Sequence, residues 1–515
     1  MLDSLTGMND FVAYHAGAAT ARTACVDLPT GRSLTYGELD ESISKCAGWL
    51  ETVLRPAAGK RVAILARNCL DALVLHFACG RSGAILQPLN WRLPGRELAA
   101  LIADAEPEIL IYQAEFEDAA REAIGSAKLR CVLRIADGDN PFAAAIADTA
   151  PLPPRAIDPD APVTFLYTSG TTGRPKGVIV TNRNAWTTCF NFALANEVSA
   201  RDVLLCDMPL FHVAGLFGVA RSALFMGATV LISDRFISNV ALARMSDPAL
   251  GITHYFAVPQ MAMSMLQDPA FAKSDLRNLK ALVIGGAPLP KVVVRQYAEH
   301  GILVVEGYGI SEAGTVTAIP IDAKTIKEKA GSCGVAAPLI DMRLVTSEGG
   351  DAAPGEVGEI WLRGPSVTPG YWKQPEATAK AFQDGWFKTG DAATRDEEGF
   401  YRVVDRWKDM YITGGENVYP AEIEAVLAEH PAIAESAIVG VADPRWGESG
   451  CAYVVLRGGA QASADAIVAH CRDRLAGYKV PKHVRFVESL PRTGSGKVKK
   501  QDLRQTYANN GEDKR

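Results

Sequence analysis

Phosphate-binding chemistry is concentrated in ten residues, TSGTTGRPKG, Thr168 to Gly177. The hydroxyls of Thr168, Ser169, Thr171 and Thr172 can donate to anionic oxygens, and successive backbone N–H groups can form an anion nest. Gly170, Gly173 and Gly177 let the backbone take positive φ and approach a ligand closely. Lys176 adds a compact ammonium suited to phosphate. The stretch is not the P-loop G-x-x-x-x-G-K-[ST]. Pro175 stands where that motif has glycine, and Gly177 stands where it has a metal-binding hydroxyl. A plain P-loop phosphotransferase is excluded on those positions.

Other segments add candidates. GYGISEAG (307–314) sets Tyr308 between Gly307 and Gly309, an aromatic that can stack on a purine, and follows it with Ser311 and Glu312. KTGD (388–391) ends on Asp391, whose carboxylate can accept from two hydroxyls; taken alone, the tripeptide TGD reads as a turn. PRTGSGKVKK (491–500) carries Lys497 behind a glycine-rich segment that can drape over another surface, whereas Lys499 and Lys500 read as a solvated basic tail. His212, within PLFHVAG (209–215), taken alone reads as a core histidine. There is no G-x-S-x-G elbow for a nucleophilic serine. The ten cysteines show no C-x-x-C and no Cys/His cluster at metal-ligand spacing, so they read as buried reduced thiols.

The elements that must position these residues follow from apolar runs. RVAIL (61–65), AILQPL (84–89), EILIY (108–112) and CVLRI (131–135) alternate with helical stretches at 69–83, 95–104 and 116–126. Such alternation predicts βαβ units and a parallel sheet. A second series contains VTFLY (163–167), VIVT (178–181), ATVLI (228–232), ALVIGG (281–286) and ILVVEGYG (302–309), with a crossover helix at 291–300. The phosphate-binding stretch is therefore a tight strand–strand connection. Residues 330–405 turn to glycine, proline and β-formers, and a compact α+β unit follows DRWKD (405–409). That unit is expected to hold helices at 421–430 and 463–476 and strands at 437–441 and 451–456.

YTSGTTGRPKGV resembles the signature loop of the adenylate-forming superfamily, which comprises acyl-CoA synthetases, the adenylation domains of non-ribosomal peptide synthetases and beetle luciferases. PLFHVAG, GGAPL (285–289), GYGISEAG, KTGD, DRWKDMYITGGENVYPAEIE (405–424) and PRTGSGKVKK resemble its further motifs, in the same order. The resemblance implies an α/β multi-domain fold. A large N-terminal domain (1–405) would hold two α/β parallel-type sheets and a β-rich, barrel-like subdomain. A small mobile C-terminal α+β domain (406–515) would pivot at Lys408.

The resemblance also implies roles. Thr168, Ser169, Gly170, Thr171, Thr172, Gly173 and Lys176 would hold ATP phosphates, and Glu312 would hold Mg²⁺ against them. Tyr308, between Gly307 and Gly309, would pack on adenine, with the backbone of Gly286, Ala287 and Pro288 on its other side. Ser311 stands where the family usually has threonine and keeps the hydroxyl. Asp391 would accept the ribose hydroxyls and Arg406 would reach ribose or phosphate. Lys497 would meet the substrate carboxylate and the α-phosphate. His212 would orient the acyl carboxylate or gate the CoA entry. Phe211, His212, Val213, Phe217, Ile310, Ala313, Gly314 and Thr315 would line an apolar acyl pocket. Lys408, Gly414, Gly415, Glu416 and Trp446 would form the hinge and the CoA tunnel.

The function implied is an AMP-forming carboxylate–CoA ligase. Its substrates would be ATP, CoA and a hydrophobic acid, either aryl or a medium- to long-chain fatty acid, with a lean toward the fatty or bulky kind. No aspartate near His212 is placed to bind an α-amine, which disfavours amino acids. Too few residues follow Lys497 for a carrier domain within this chain, so free CoA is the expected acceptor; delivery to a separate carrier protein is the alternative. A non-catalytic nucleotide-binding homologue is the reading from another class, and retention of Glu312, Asp391 and Lys497 opposes it. The chain is 48 % apolar and 22 % charged with net charge −6, which suggests no nucleic-acid or anionic-membrane surface. No segment approaches the length of a membrane span, and no signal peptide is seen, so a cytoplasmic enzyme is expected. A homodimer is compatible with this reading.

Overall fold

Continuous apolar runs become the inner strands of two sheets. The structure, a computed structural model, describes residues 10–125, 127–136, 138, 140–168, 175–407, 409–414, 416–492 and 498–509. It has two compact units, Met1–Asp341 with Leu362–Phe387, and Met342–Trp361 with Lys388–Arg515.

In the first unit a six-stranded sheet has the order Cys131–Ile135, Ile109–Gln113, Arg61–Leu65, Ile85–Leu89, Pro162–Thr168 and Lys176–Thr181. The first five strands are parallel. Helices Leu70–Ser82, Gly95–Ala105 and Glu117–Ile124 supply crossovers. The first of these stops at Gly83, whose φ of 79° satisfies the left-handed end of a helix at no steric cost. Strands Pro162–Thr168 and Lys176–Thr181 pair antiparallel, with Thr168 opposite Lys176. The two strands that flank the candidate phosphate-binding stretch thus pair as a hairpin, as the spacing predicts.

The second sheet has nine strands. Its centre, Thr23–Asp27, Thr229–Ile232, Val203–Cys206, His254–Ala257, Ala281–Ile284 and Val304–Ile310, is parallel. Sequence reading missed Thr23–Asp27, Val203–Cys206 and His254–Ala257, which have only four or five residues each. It also missed the 19-residue helix Tyr36–Leu54, although Thr35 and Glu38 announce it as a capping box.

Two further sheets have five strands each. One contains Asp341–Val345, Gly358–Arg363, Phe382–Gln383, Trp386–Arg395 and Tyr401–Arg406. Asp391–Arg395 pairs with Tyr401–Arg406, and residues 388–405 group with the C-terminal residues. The other sheet contains Tyr411–Thr413, Glu416–Val418, Ile433–Asp443, Gly447–Leu456 and His483–Phe486. Helices Pro420–Ala428 and Ala464–Arg472 accompany it. Residues 411–507 carry two apolar cores of their own, around Ile423, Ile438 and Ile467 and around Val439, Tyr453 and Leu503.

One expectation is overturned. Lys500 is no solvated tail residue: its side chain is 14 % exposed and ion-paired with Glu424 at 2.8 Å. Basic composition marked the run as surface, but folding brings acidic residues from distant parts of the chain to this position. All ten cysteines are free thiols; eight are buried, as expected, and Cys131 and Cys333 are half-buried.

Candidate active site

Lys176 is the first residue of its strand, and backbone bonds fix its direction. A strap from residue 366 to 374 runs along that strand. Ile179 N–H donates to Gly370 O at 3.1 Å, and Trp372 N–H donates to Gly177 O at 2.8 Å. The amide of Gln374 donates to Pro175 O at 3.2 Å. A β-carbon at Gly177 would lie 3.1 Å from the Tyr167 ring and 3.4 Å from Trp372, so a larger residue would push these neighbours by a few tenths of an ångström.

The strap presents Tyr371, which sequence reading did not select. The Lys176 ammonium lies 4.7 Å from the centroid of the Tyr371 ring. The Tyr371 hydroxyl donates to Glu312 Oε1 at 3.1 Å. Thr368 N–H donates to the Glu312 carbonyl at 2.7 Å, so the same strap holds the glutamate backbone. One tyrosine therefore sits between the phosphate-type lysine and the candidate metal carboxylate. The aromatic pair in GYWKQPEAT was the available signal, but nothing local says which element it would cover.

Tyr308 lies on Val304–Ile310, the last strand of the parallel run, opposite Thr317 of the antiparallel neighbour. Its N–H donates to Thr317 Oγ1 at 3.2 Å. The flanking glycines are explained by packing. A β-carbon at Gly307 would stand 2.9 Å from Thr317 O, and one at Gly309 would stand 2.5 Å from Gly314 O. Gly286, with φ 88°, terminates the neighbouring strand; Ala287 and Pro288 follow it and are exposed.

A cavity beside Glu312 takes in Val213, Phe217, Ser311 and Gly314. It does not take in Phe211, His212, Ile310, Ala313 or Thr315. Asn184, Thr188, Ser366 and Thr368 line it as well, and its volume of about 10 Å³ leaves room for no more than a water molecule, so it is not the acyl pocket itself. Ala313 is fully buried, and Phe217 is 1 % exposed and packs edge-on against His76. Gly314 faces Thr188, which a β-carbon would strike. Phe211 lies beneath Arg92, with the guanidinium 5.5 Å from its ring. His212 and Val213 lead into a π-helical stretch, Ala214–Arg221. Such stretches recur at functional sites.

In the second unit, Asp391 and Arg406 face each other across two strands. Arg406 Nε lies 2.8 Å from Asp391 Oδ1, and the carboxylate side chain is 8 % exposed. Gly414 and Trp446 meet as expected. Gly414 has φ 60° and donates its N–H to Trp446 O at 2.9 Å; a β-carbon there would lie 2.9 Å from the indole. Trp446 is 40 % exposed, with Lys482 5.2 Å and Arg445 4.8 Å from its ring. Glu416 is exposed at the start of its strand. Ser169, Gly170, Thr171, Thr172, Gly173, Lys408, Gly415 and Lys497 lie outside the described residues. Among the described residues, no cluster of three or more His, Cys, Asp or Glu could hold a metal ion, and no helix is long and apolar enough to cross a membrane.

Comparison with known proteins agrees with this architecture. The family model for AMP-binding enzymes matches residues 12–372, and the model for the C-terminal domain of AMP-binding enzymes matches residues 422–497. A feruloyl-CoA synthase of Amycolatopsis is 40 % identical over 93 % of this chain and 94 % of its own. A long-chain-fatty-acid–CoA ligase of Mycobacterium tuberculosis is 34 % identical over 94 % of this chain and 95 % of its own. The o-succinylbenzoate CoA synthetase of Bacillus subtilis, solved with its acyl-adenylate intermediate, superposes with a TM-score of 0.87. It is 30 % identical, over 97 % of this chain and 98 % of that one. The chain belongs to the AMP-binding enzymes of the adenylate-forming superfamily, and it is an acid–thiol ligase of the acyl-CoA synthetase type.

Proposed function

We propose that the enzyme activates a hydrophobic carboxylic acid, aryl or medium- to long-chain fatty, and passes the acyl group to CoA. The observation that carries the reading is the grouping of Lys176, Tyr371 and Glu312 at the base of the hydroxyl-rich loop. A phosphate-type cation and a carboxylate are held in fixed relation there, in a chain that belongs to an ATP-using ligase family.

The reaction would have two steps. A carboxylate oxygen of the acid attacks the α-phosphorus of ATP, and the bond to the bridging oxygen breaks to release pyrophosphate. Lys176 and the loop hydroxyls offset charge on the departing pyrophosphate, while Lys497 offsets charge at the attacked phosphorus. The CoA thiol, losing its proton, then attacks the acyl carbon, and AMP leaves. Tyr308 would pack on adenine, and Asp391 with Arg406 would meet the ribose.

Mg²⁺ takes one or two carboxylates together with substrate phosphate oxygens. Glu312, a single carboxylate with no acidic cluster around it among the described residues, fits that donor set. The ion would supply positive charge to the ATP phosphates. Tyr371 steadies the carboxylate by its 3.1 Å hydrogen bond.

Tyr371→Phe keeps the ring beneath Lys176 and deletes that bond. A hydrogen bond to a charged group is worth about 1.5–3 kcal/mol, so kcat/KM for ATP should fall by roughly tenfold or more. An unchanged value would mean that Glu312 needs no such support. The proposal as a whole is tested by carboxylate-dependent ATP–pyrophosphate exchange over a panel of cinnamate-type, benzoate-type and straight-chain acids, followed by CoA consumption. Exchange without CoA consumption would favour a carrier-protein acceptor, and no exchange with any acid would refute the ligase reading.

A further inference from the structure

Lys500, at the start of helix Lys500–Asn509, is an enclosed cation. Its ammonium lies 2.8 Å from Glu424 Oε1, and that oxygen also accepts the Ile438 N–H at 2.7 Å. Burial acts to lower the lysine pKa, but Glu424, Asp405 and Asp409 together raise it above its ordinary value. Both aspartates are themselves anchored. Asp405 accepts N–H bonds from Ala421 at 2.7 Å and Arg406 at 2.6 Å. Asp409 is paired with Arg504 at 3.0 Å, one helical turn beyond Lys500.

The chain just before Lys500 is also held. Arg492 and Val498 form an antiparallel bridge, and Lys499 N–H donates to Pro491 O at 2.8 Å. The residues on either side of 493–497 are therefore brought side by side immediately ahead of the buried ammonium. Leu503 is 4 % exposed, and its carbonyl accepts the Tyr453 hydroxyl at 2.9 Å. A buried ion pair is weak evidence of net stability. An arrangement that collects carboxylates from both sides of residue 408 and ties them to the segment after Lys497 is better explained as a means of setting geometry.

We propose that Lys500 is a positioning residue for the adenylation half-reaction, its enclosed ion pair with Glu424 fixing the base of the segment that carries Lys497. This rests on the reading of Lys497 as the adenylation lysine. Lys500→Met keeps an unbranched side chain and removes the charge. Misplacing a reacting group by about 1 Å can cost about 10²-fold in rate. ATP–pyrophosphate exchange should accordingly fall by about that factor, while acyl transfer from supplied acyl-adenylate to CoA persists.

Lys500→Arg, which restores the charge, should recover most of the exchange. Equal loss of both half-reactions in a folded Lys500→Met protein, unchanged exchange, or no recovery with arginine overturns the proposal. Should Lys500→Met not fold, Glu424→Gln keeps the shape and weakens the same contact; a selective fall in exchange supports the proposal and unchanged exchange refutes it. Lys497→Ala is measured alongside. If that variant spares exchange, the underlying reading fails. If it abolishes exchange while Lys500→Met does not reduce it, the positioning role alone fails.

Discussion

Lys497→Ala should lower carboxylate-dependent ATP–pyrophosphate exchange by about 10²–10³-fold, the scale of one lost preorganised donor at a developing charge. Thioester formation from supplied acyl-adenylate should survive. The asymmetry is the diagnostic part. In the first step, charge accumulates where the acid oxygen and the α-phosphorus meet, and an ammonium fixed there costs no reorganisation as the bond forms. In the second step, the electrophile is the acyl carbon and the leaving group is AMP, so a cation aimed at the first centre has less to offset. Equal damage to both half-reactions would place Lys497 in general folding or nucleotide binding instead. Lys500→Arg is a useful companion because it alters the basic run without removing a charge.

Lys408→Pro should do the converse, leaving exchange measurable and suppressing acyl transfer to CoA. One site that serves two chemistries needs two arrangements, and hinge residues absorb the change in φ and ψ. Proline locks φ near −65° and removes an N–H donor, so a residue that must take two backbone conformations is restricted to those with that φ. The neighbours make this position a sharp test. Asp405 on one side is held by backbone N–H groups, and Asp409 on the other is paired with Arg504. A pivot between them would have to release the Ala421 N–H bond to Asp405, which spans residue 408. Progress curves for the two half-reactions, measured separately on the same preparation, decide the matter; an unimpaired thioester step would eliminate the pivot.

Much of this was legible one residue at a time. Gly83 closes the helix read over 69–83, whereas the capping box of Thr35 and Glu38 went unread, although caps of both kinds are satisfied within a few residues. The runs RVAIL and ALVI are strands because a sheet covered on both faces demands continuous apolar side chains. The hairpin between Thr168 and Lys176 could be read from two β-forming runs separated by glycines. The signature loop, GYGISEAG and KTGD marked Lys176, Tyr308, Glu312 and Asp391 as motif positions, and the family and ligase class followed from motif order.

Other features depended on meetings between distant segments. Tyr371 supports Glu312 across 59 positions in the chain, a pairing with no periodicity to betray it. The polar wall of Asn184, Thr188, Ser366 and Thr368 arises where a helix, a strand and the 366–374 strap converge, although each residue alone reads as an ordinary polar position. Lys500 shows the same limit from the other side. Its neighbours Val498 and Lys499 gave it the look of a solvated tail, yet Glu424 and Asp405 reach it only through the folded sheet. By itself the sequence determined the chemistry class and the local elements, since both depend on residue type and short spacing. Tertiary structure alone decided which charges are buried together and which side chain supports which, because burial and pairing are properties of space rather than of chain order.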